Sequence, residues 1–384
     1  MIRQTWAIFV DAYRELNAKK LFWFVLGLSA LFVSAIACVG INERGVSVLW
    51  WNIEAPMFNS KIITKSLFYR YWFFGVGFKV WLTWAATILA LVSTAGIFPD
   101  FISGGTIELS LSKPIGRLRL FLTKYFSGLL FVTLQVAIFA TGAFLVLRMR
   151  GESWVPAIFL SIPLVLAFFS YLYAFCVLIG MLTRSTIASL LLTILVWLLI
   201  FLVHLSETGI VLSLKVRSDQ SVAIREVDLQ KREADLGLLK AREAPTDPAE
   251  AKKLSDSIAT AEKTIQTRRP KLEAAKKTQQ NLTTLHAILY ATKTFMPKTS
   301  ETMALLGRAL LSEEELSRME PPGGGNDFEF GDTERDLRVN ARSVQREVER
   351  LQRKRSVAWV LGTSLLFEVG ILGIAAWIFC KRDF

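Results

Sequence analysis

Cysteine and histidine are scarce in this chain of 384 residues. The three cysteines, Cys38, Cys176 and Cys380, lie far apart, each in or beside an apolar run. The two histidines, His204 and His286, have no second ligand at a metal-binding spacing. Scattered thiols in apolar sequence are typical of small buried side chains rather than of a disulfide framework or a metal centre. We therefore expect no metal ion and no cofactor.

Motifs that carry bond chemistry are also missing from the sequence. It holds no G-x-x-x-x-G-K-[ST] loop to bind ATP phosphates, no H-E-x-x-H pair and no G-x-S-x-G turn. We expect no catalytic residues and no enzyme activity in this chain. Only Lys79 is placed well within an apolar run, and a carboxylate relay of the kind that ion-coupled carriers use is not expected.

Long apolar runs dominate what remains. Hydrophobic residues make up 52% of the chain and the mean hydropathy is +0.40, values typical of an integral membrane protein with a sizeable polar portion. A helix needs roughly 20 apolar residues to cross the hydrocarbon core of a bilayer. The sequence therefore predicts an all-α, polytopic membrane protein with six transmembrane helices. They lie at about 21–41, 74–97, 120–147, 154–182, 186–206 and 357–379.

The basic charge gives the predicted orientation. The net charge is +12, yet no basic and aromatic recognition motif accompanies it, so nucleic acid is not an expected partner. Lysine and arginine in short loops favour the cytoplasmic face. With six spans, most of these residues fall on one side, while Arg148, Arg150 and the cations of 42–73 fall on the other. We expect a multi-pass protein of the cell (inner) membrane with both termini in the cytoplasm.

Four regions follow from this topology. Residues 1–20 form a cytoplasmic amphipathic entry helix, and 21–206 hold the first five spans. Residues 207–356 form an extracytoplasmic domain, and 357–384 hold the sixth span and a cytoplasmic tail. The last helix of the outer domain begins at about Thr333 and meets no breaker, so one long helix is predicted to continue into the sixth span.

The outer domain carries a coiled-coil pattern. Apolar residues recur in steps of four and three, interrupted at Arg268 and Gln279, which is the spacing of a coiled-coil seam. An antiparallel hairpin with the preceding helix is expected. Two interpretations remain open: a strut that stabilises a dimer, or a docking arm for a partner outside the membrane. The seam residues are Leu254, Ile258, Ala261, Ile265, Leu272 and Leu282.

A polar, basic loop at 98–124 separates the second and third spans. It combines glycine, a leucine-containing turn and a Lys-Pro-x-x-Arg group. This order resembles the coupling loop of type-two ABC exporter permeases, in the subgroup whose ATPase is a separate chain. The residues that carry the resemblance are Gly105, Thr106, Leu111, Lys113, Pro114, Arg117 and Lys124.

The resemblance implies a partnership. The loop would fit a groove on an ABC ATPase subunit at the cytoplasmic face, and the permease would pair with a second copy or with a related chain. The insertion between the fifth and sixth spans departs from simpler members of the family. Two other classes stay open. A membrane-anchored coiled-coil scaffold without transport explains the insertion but not six spans, and a channel or ATP-independent carrier would need a polar stripe along the spans.

Overall fold

The computed structural model describes residues 20–54, 59–103, 116–242, 248–312, 314–315 and 339–382. Of the residues that the structure describes, 86% are helical, which confirms the predicted all-α class. Helices dominate because a chain in hydrocarbon must satisfy its backbone N–H and C=O groups internally. In chain order the helices are α1 (Lys20–Cys38), α2 (Lys65–Trp72), α3 (Thr87–Thr94), α4 (Ile97–Ser103), α5 (Arg117–Gly151), α6 (Ser161–Thr183), α7 (Thr186–His204), α8 (Leu212–Ala241), α9 (Pro248–Thr294), α10 (Thr299–Leu310), α11 (Ala341–Arg353) and α12 (Val357–Lys381).

Five helical stretches of the described residues are long and apolar enough to cross a membrane. A further apolar helix, Phe22–Cys38, is shorter. Each predicted span coincides with one of these six helices, while the number of crossings stays a prediction. The five long stretches are Lys65–Ile102, Arg117–Gly151, Pro156–Thr183, Thr186–Ala241 and Val357–Lys381.

The described residues divide into two compact units. The first lies within Met1–Phe201, Thr294–Pro322 and Ser356–Phe384, and the second within Leu202–Lys293 and Gly323–Arg355. This division differs in one respect from the predicted regions. Helix α10 falls in the first unit, although the sequence analysis placed it in the outer domain.

Helix α6 is central to the first unit, where it packs against α4, α5, α10 and α12. Two of its aromatic side chains, Phe168 and Phe169, are completely buried. Lipid tails are as apolar as these side chains, so close packing rather than water exclusion must hold the helices together. Gly128 of α5 shows how close the approach is, because a Cβ there would lie 2.6 Å from the Tyr173 hydroxyl oxygen.

A π-helical stretch, Phe73–Ala86, joins α2 to α3. The side chains support this wide winding, since the Thr83 and Thr87 hydroxyls donate to the carbonyls of Phe78 and Leu82, each five residues earlier. A π-helix is rare and usually lasts a single turn, so fourteen residues are an unusual length. At Thr87 the chain returns to α-helical winding.

A small antiparallel sheet follows α1 and was not predicted. Strands β1 (Val39–Asn42), β2 (Gly45–Val48) and β3 (Trp51–Glu54) form a meander in which Asn42 pairs with Gly45. Alternating β-branched and aromatic residues favour strands here.

The second unit contains α8, α9 and α11. Helices α8 and α9 pack through buried Val222, Leu229, Ile265 and Leu272. A second apolar contact joins α8 to α11, through Leu212, Val216 and Val348.

The predicted continuous helix into the sixth span is wrong. Helix α11 ends at Arg353, and Ser356 begins α12 as an N-cap whose hydroxyl accepts the N–H of Trp359. Proline and glycine are the breakers that a sequence shows most plainly, whereas a serine N-cap begins a new helix without either. Thr333, where that helix was predicted to begin, lies outside the described residues.

Candidate functional site

The predicted coupling loop is described only at its two borders. Gly105, Thr106, Leu111, Lys113 and Pro114 lie outside the described residues. Arg117 and Lys124 lie in the first turns of α5, and residues 98–103 belong to α4. The predicted bounds of the loop, 98–124, are therefore too wide, because both of its ends are helical.

Arg117 binds the chain's own backbone at this end of the first unit. Its Nη1 donates to the carbonyl oxygens of Cys380, at 3.0 Å, and Arg382, at 2.9 Å. The last carbonyls of a helix have no partner within the helix, and an arginine fork is suited to bind them. The first residue of α5 is thus joined to the end of α12.

Two further contacts extend this connection. Arg382 Nη1 donates to the carbonyl oxygen of Met181, near the end of α6, at 2.5 Å. Lys124 Nζ lies 5.3 Å from the centre of the Phe101 ring in α4, a cation–π distance. The end of α4, the start of α5 and the ends of α6 and α12 are therefore linked by contacts from Arg117, Lys124 and Arg382.

A buried charge lies inside the predicted sixth span and was not predicted from the sequence. Glu368 lies within α12 and is 7% exposed. Its Oε1 accepts a hydrogen bond from the Tyr125 hydroxyl and its Oε2 one from the Ser170 hydroxyl, both at 2.8 Å. Placing only Lys79 well within a span was therefore wrong. A carboxylate in the middle of an apolar run is itself the signal that could have found the site.

Residues 16–312 match the family model described as ABC-2 family transporter protein. The matched segment covers well over half of the chain and includes the loop at 98–124. The chain belongs to the ABC-2 transporter family. It is therefore a multi-pass membrane protein and a permease subunit of an ABC transporter. No curated protein and no solved structure shows a significant match.

The second unit of this ABC-2 permease carries the predicted seam on α9. Ile265 and Leu272 are buried, while Leu254, Ile258, Ala261 and Leu282 are half-buried. The opposing apolar residues of α8 are Val222, Leu229 and Leu236.

The two residues that interrupt the seam have polar partners on α8. Arg268 Nη1 lies 2.6 Å from Asp228 Oδ2, and Gln279 Nε2 donates to Asp219 Oδ1 at 2.8 Å. Polar residues inside a heptad pattern fix register and direction at some cost in stability. These pairs run in opposite directions along the two helices, so α8 and α9 are antiparallel.

An exposed ion pair lies beside the seam. Lys276 Nζ is 2.9 Å from Glu226 Oε1, and the hydrogen bond and charge of Glu226 raise the pKa of Lys276. Exposed pairs of this kind add little stability, so the apolar seam carries the packing.

The second unit of the ABC-2 permease also contains a buried ion cluster around Glu207. Glu207 is completely buried, and its carboxylate lies 2.6 Å from Lys293 Nζ and 2.6 Å from Arg355 Nη2. Thr208 also donates to it, and His286 Nε2 lies 3.2 Å away. The cations that meet Glu207 lie 86 and 148 positions away in the sequence, so no local pattern could connect them with it.

Proposed function

We propose that this permease works in an ATP-driven exporter whose ATPase subunits are separate chains. Family membership supports the permease role. The network of Arg117 and Arg382 supports the coupling role, because it joins the α5 end of the loop to the ends of α6 and α12. We keep the seven predicted loop residues as the surface that meets the ATPase.

The mechanism follows from these contacts. Closure of two ATPase subunits on ATP would push the loops of two permease chains, either two copies or one copy and a related chain. The start of α5 would move with the loop, and the Arg117 hydrogen bonds would carry that movement to α12. The path between the two permeases would then change from inward to outward access. The outer domain, residues 207–356, would lie outside the membrane.

Charge reversal in the loop tests the coupling assignment. Lys113→Glu should remove ATPase from permease purified from its native membrane, because a basic loop would no longer meet an acidic groove. The measurement is ATP hydrolysis by the purified material, with peptide sequencing to identify a chain that holds a nucleotide-binding loop. A matched control is Lys61→Glu, an exposed lysine at the opposite end of the predicted spans.

Arg117→Glu should uncouple ATP hydrolysis from transport without preventing membrane insertion. Since Arg117 binds backbone carbonyls, Arg117→Lys is the companion variant: it keeps the charge and loses the planar fork. Normal transport by Arg117→Glu would contradict the coupling role. Purification without any ATPase, from unaltered permease as well as from Lys113→Glu, would favour the scaffold interpretation instead.

A further inference from the structure

Glu368 lies at the wall of an apolar groove in the first unit. The groove has a volume of about 610 Å³ and lies between α5, α6 and α12. Glu368 is the one charged residue among the described residues that line it, and Tyr125 and Ser170 both donate to its carboxylate. The remaining lining residues are Leu118, Phe121, Leu122, Phe126, Leu129, Pro163, Leu166, Ala167, Leu365, Val369, Leu372, Gly373 and Ala376.

The carboxylate has no cationic partner among the residues that the structure describes. Two hydroxyl donors, one on each oxygen, fix its orientation and leave further lone pairs available. Glu207 shows the alternative, since its buried carboxylate is met by Lys293 and Arg355. A buried charge is costly unless it is paired, so the Glu368 site is electrostatically incomplete.

The groove is open on the outer surface of the helix bundle. Leu118, Phe126, Leu365 and Val369 at its edges are each more than two-fifths exposed. Such side chains face lipid in a membrane, so a molecule could enter the groove from the bilayer only if it is itself largely apolar. Phe126, which is 49% exposed, adds an aromatic ring of the kind that attracts a cation.

We propose that this groove binds a hydrophobic molecule that carries a positive charge, with Glu368 as its counter-ion. The apolar walls hold the body of the molecule and the carboxylate takes the cationic group. Tyr125 and Ser170 position the carboxylate. The proposal rests on the proposed transport function in one respect: such a molecule would be the exported substrate.

Two probes of matched shape and opposite charge test the proposal. Tetraphenylphosphonium and tetraphenylborate differ in charge but hardly in size. Binding of each is measured by equilibrium titration of the purified permease in nanodiscs without any ATPase. The unaltered chain should bind the phosphonium at least about tenfold more tightly than the borate, because the carboxylate attracts one probe and repels the other in a site of low polarity.

Variants then assign the preference to Glu368. Glu368→Gln should weaken phosphonium binding by about tenfold or more and leave borate binding equal or stronger. The control is Glu152→Gln, which removes an exposed carboxylate that pairs with Lys65. Equal binding of the two probes by the unaltered chain, or unchanged phosphonium binding by Glu368→Gln, would overturn the proposal and make Glu368 a structural acceptor.

The comparison within the unaltered chain keeps the test decisive even if Glu368→Gln fails to fold. Because no ATPase is present, the outcome is independent of the coupling experiment. If the permease binds the phosphonium selectively but no ATPase co-purifies with it, the cation site at Glu368 is supported and the exporter assignment is contradicted. If an ATPase co-purifies but the unaltered permease binds the two probes equally, the exporter assignment is supported and the cation site is contradicted.

Discussion

Glu207 and Glu368 are both buried carboxylates, but they differ in their surroundings. Glu207 is met by Lys293 and Arg355, which come from different segments of the second unit. Removing one partner from a buried ion cluster leaves the others uncompensated, which typically costs about 3–5 kcal/mol. The cluster therefore stabilises the second unit, because it joins the residues just before α8 to the end of α9 and to Arg355.

Glu207→Gln should speed amide hydrogen exchange at 204–216 and 286–294 by about a hundredfold, because the two cations lose their counter-charge. The measurement is exchange followed by mass spectrometry of peptides from these regions. Glu233→Gln is the matched control, since Glu233 forms an exposed pair with Arg269. Equal effects of the two variants would show that the buried cluster does not stabilise the unit.

Glu315 offers a pH-dependent contact in the first unit. Burial alone would raise its pKa, but the Ser312 backbone N–H and the Arg70 guanidinium lower it below 4.5. Arg70 Nη2 lies 2.5 Å from Glu315 Oε1, and Arg70 Nη1 also binds the Leu310 carbonyl. Ser312 and Glu315 each accept the other's backbone N–H, the reciprocal arrangement of a capping box.

A depressed pKa stabilises the folded state above the unfolded value and loses that contribution as the pH falls through the folded value. Acidification from about pH 7 to about pH 3 should therefore increase exchange in residues 305–312, after correction for the intrinsic rate. Glu315→Gln should show fast exchange at both pH values. A pH effect that persists in Glu315→Gln would assign the titration to another group.

Single residues were predicted unevenly from the sequence. The loop motif makes Arg117 a predicted coupling residue, but its binding to the carbonyls of Cys380 and Arg382 depends on tertiary structure that no motif records. Glu368 was visible as a charge in an apolar run and was missed. Its surroundings could not be predicted, because Tyr125 and Ser170, which donate to its carboxylate, come beside it only in the folded chain.

At the scale of helices, apolar length was informative because the bilayer fixes how long a span must be. All six predicted spans coincide with helices. The sheet of β1 to β3 was missed because four-residue strands give too short an alternation to distinguish from a loop. The end of α11 was missed because a capping serine is a weaker signal than proline.

Gly128→Ala tests the packing of α5 on α6. The new methyl group would meet the Tyr173 ring, whose hydroxyl oxygen would lie 2.6 Å from it. Tyr173 also stacks on Tyr125 with ring centres 5.2 Å apart, so a displaced ring would disturb both helices. Overpacking of this kind typically costs about 1–3 kcal/mol.

The expected result for Gly128→Ala is a lower melting temperature in detergent, measured by scanning fluorimetry. Gly370→Ala is the control, because a Cβ at Gly370 of α12 would meet nothing within 4 Å. A Gly128→Ala variant as stable as Gly370→Ala would contradict the tight packing seen at this position.

For the whole molecule, the orientation is the main prediction left to test. Basic loops indicate that residues 98–124 face the cytoplasm and that the loop after the first span faces outward. In a chain whose native cysteines are replaced by serine, Lys113→Cys should react with an impermeant maleimide only after the membrane is opened. Glu43→Cys should react in intact cells. The reverse pattern would invert the proposed topology and place the ATPase surface elsewhere.

The π-helical stretch Phe73–Ala86 has a consequence for changes in chain length. A π-helix holds more residues per turn than an α-helix, so deletion of one residue can be absorbed by a return to tighter winding. The same deletion within α5 would rotate every later side chain away from its neighbours. The second predicted span can therefore accept the deletion of one residue in its first half, whereas the same deletion within α5 would disrupt its packing.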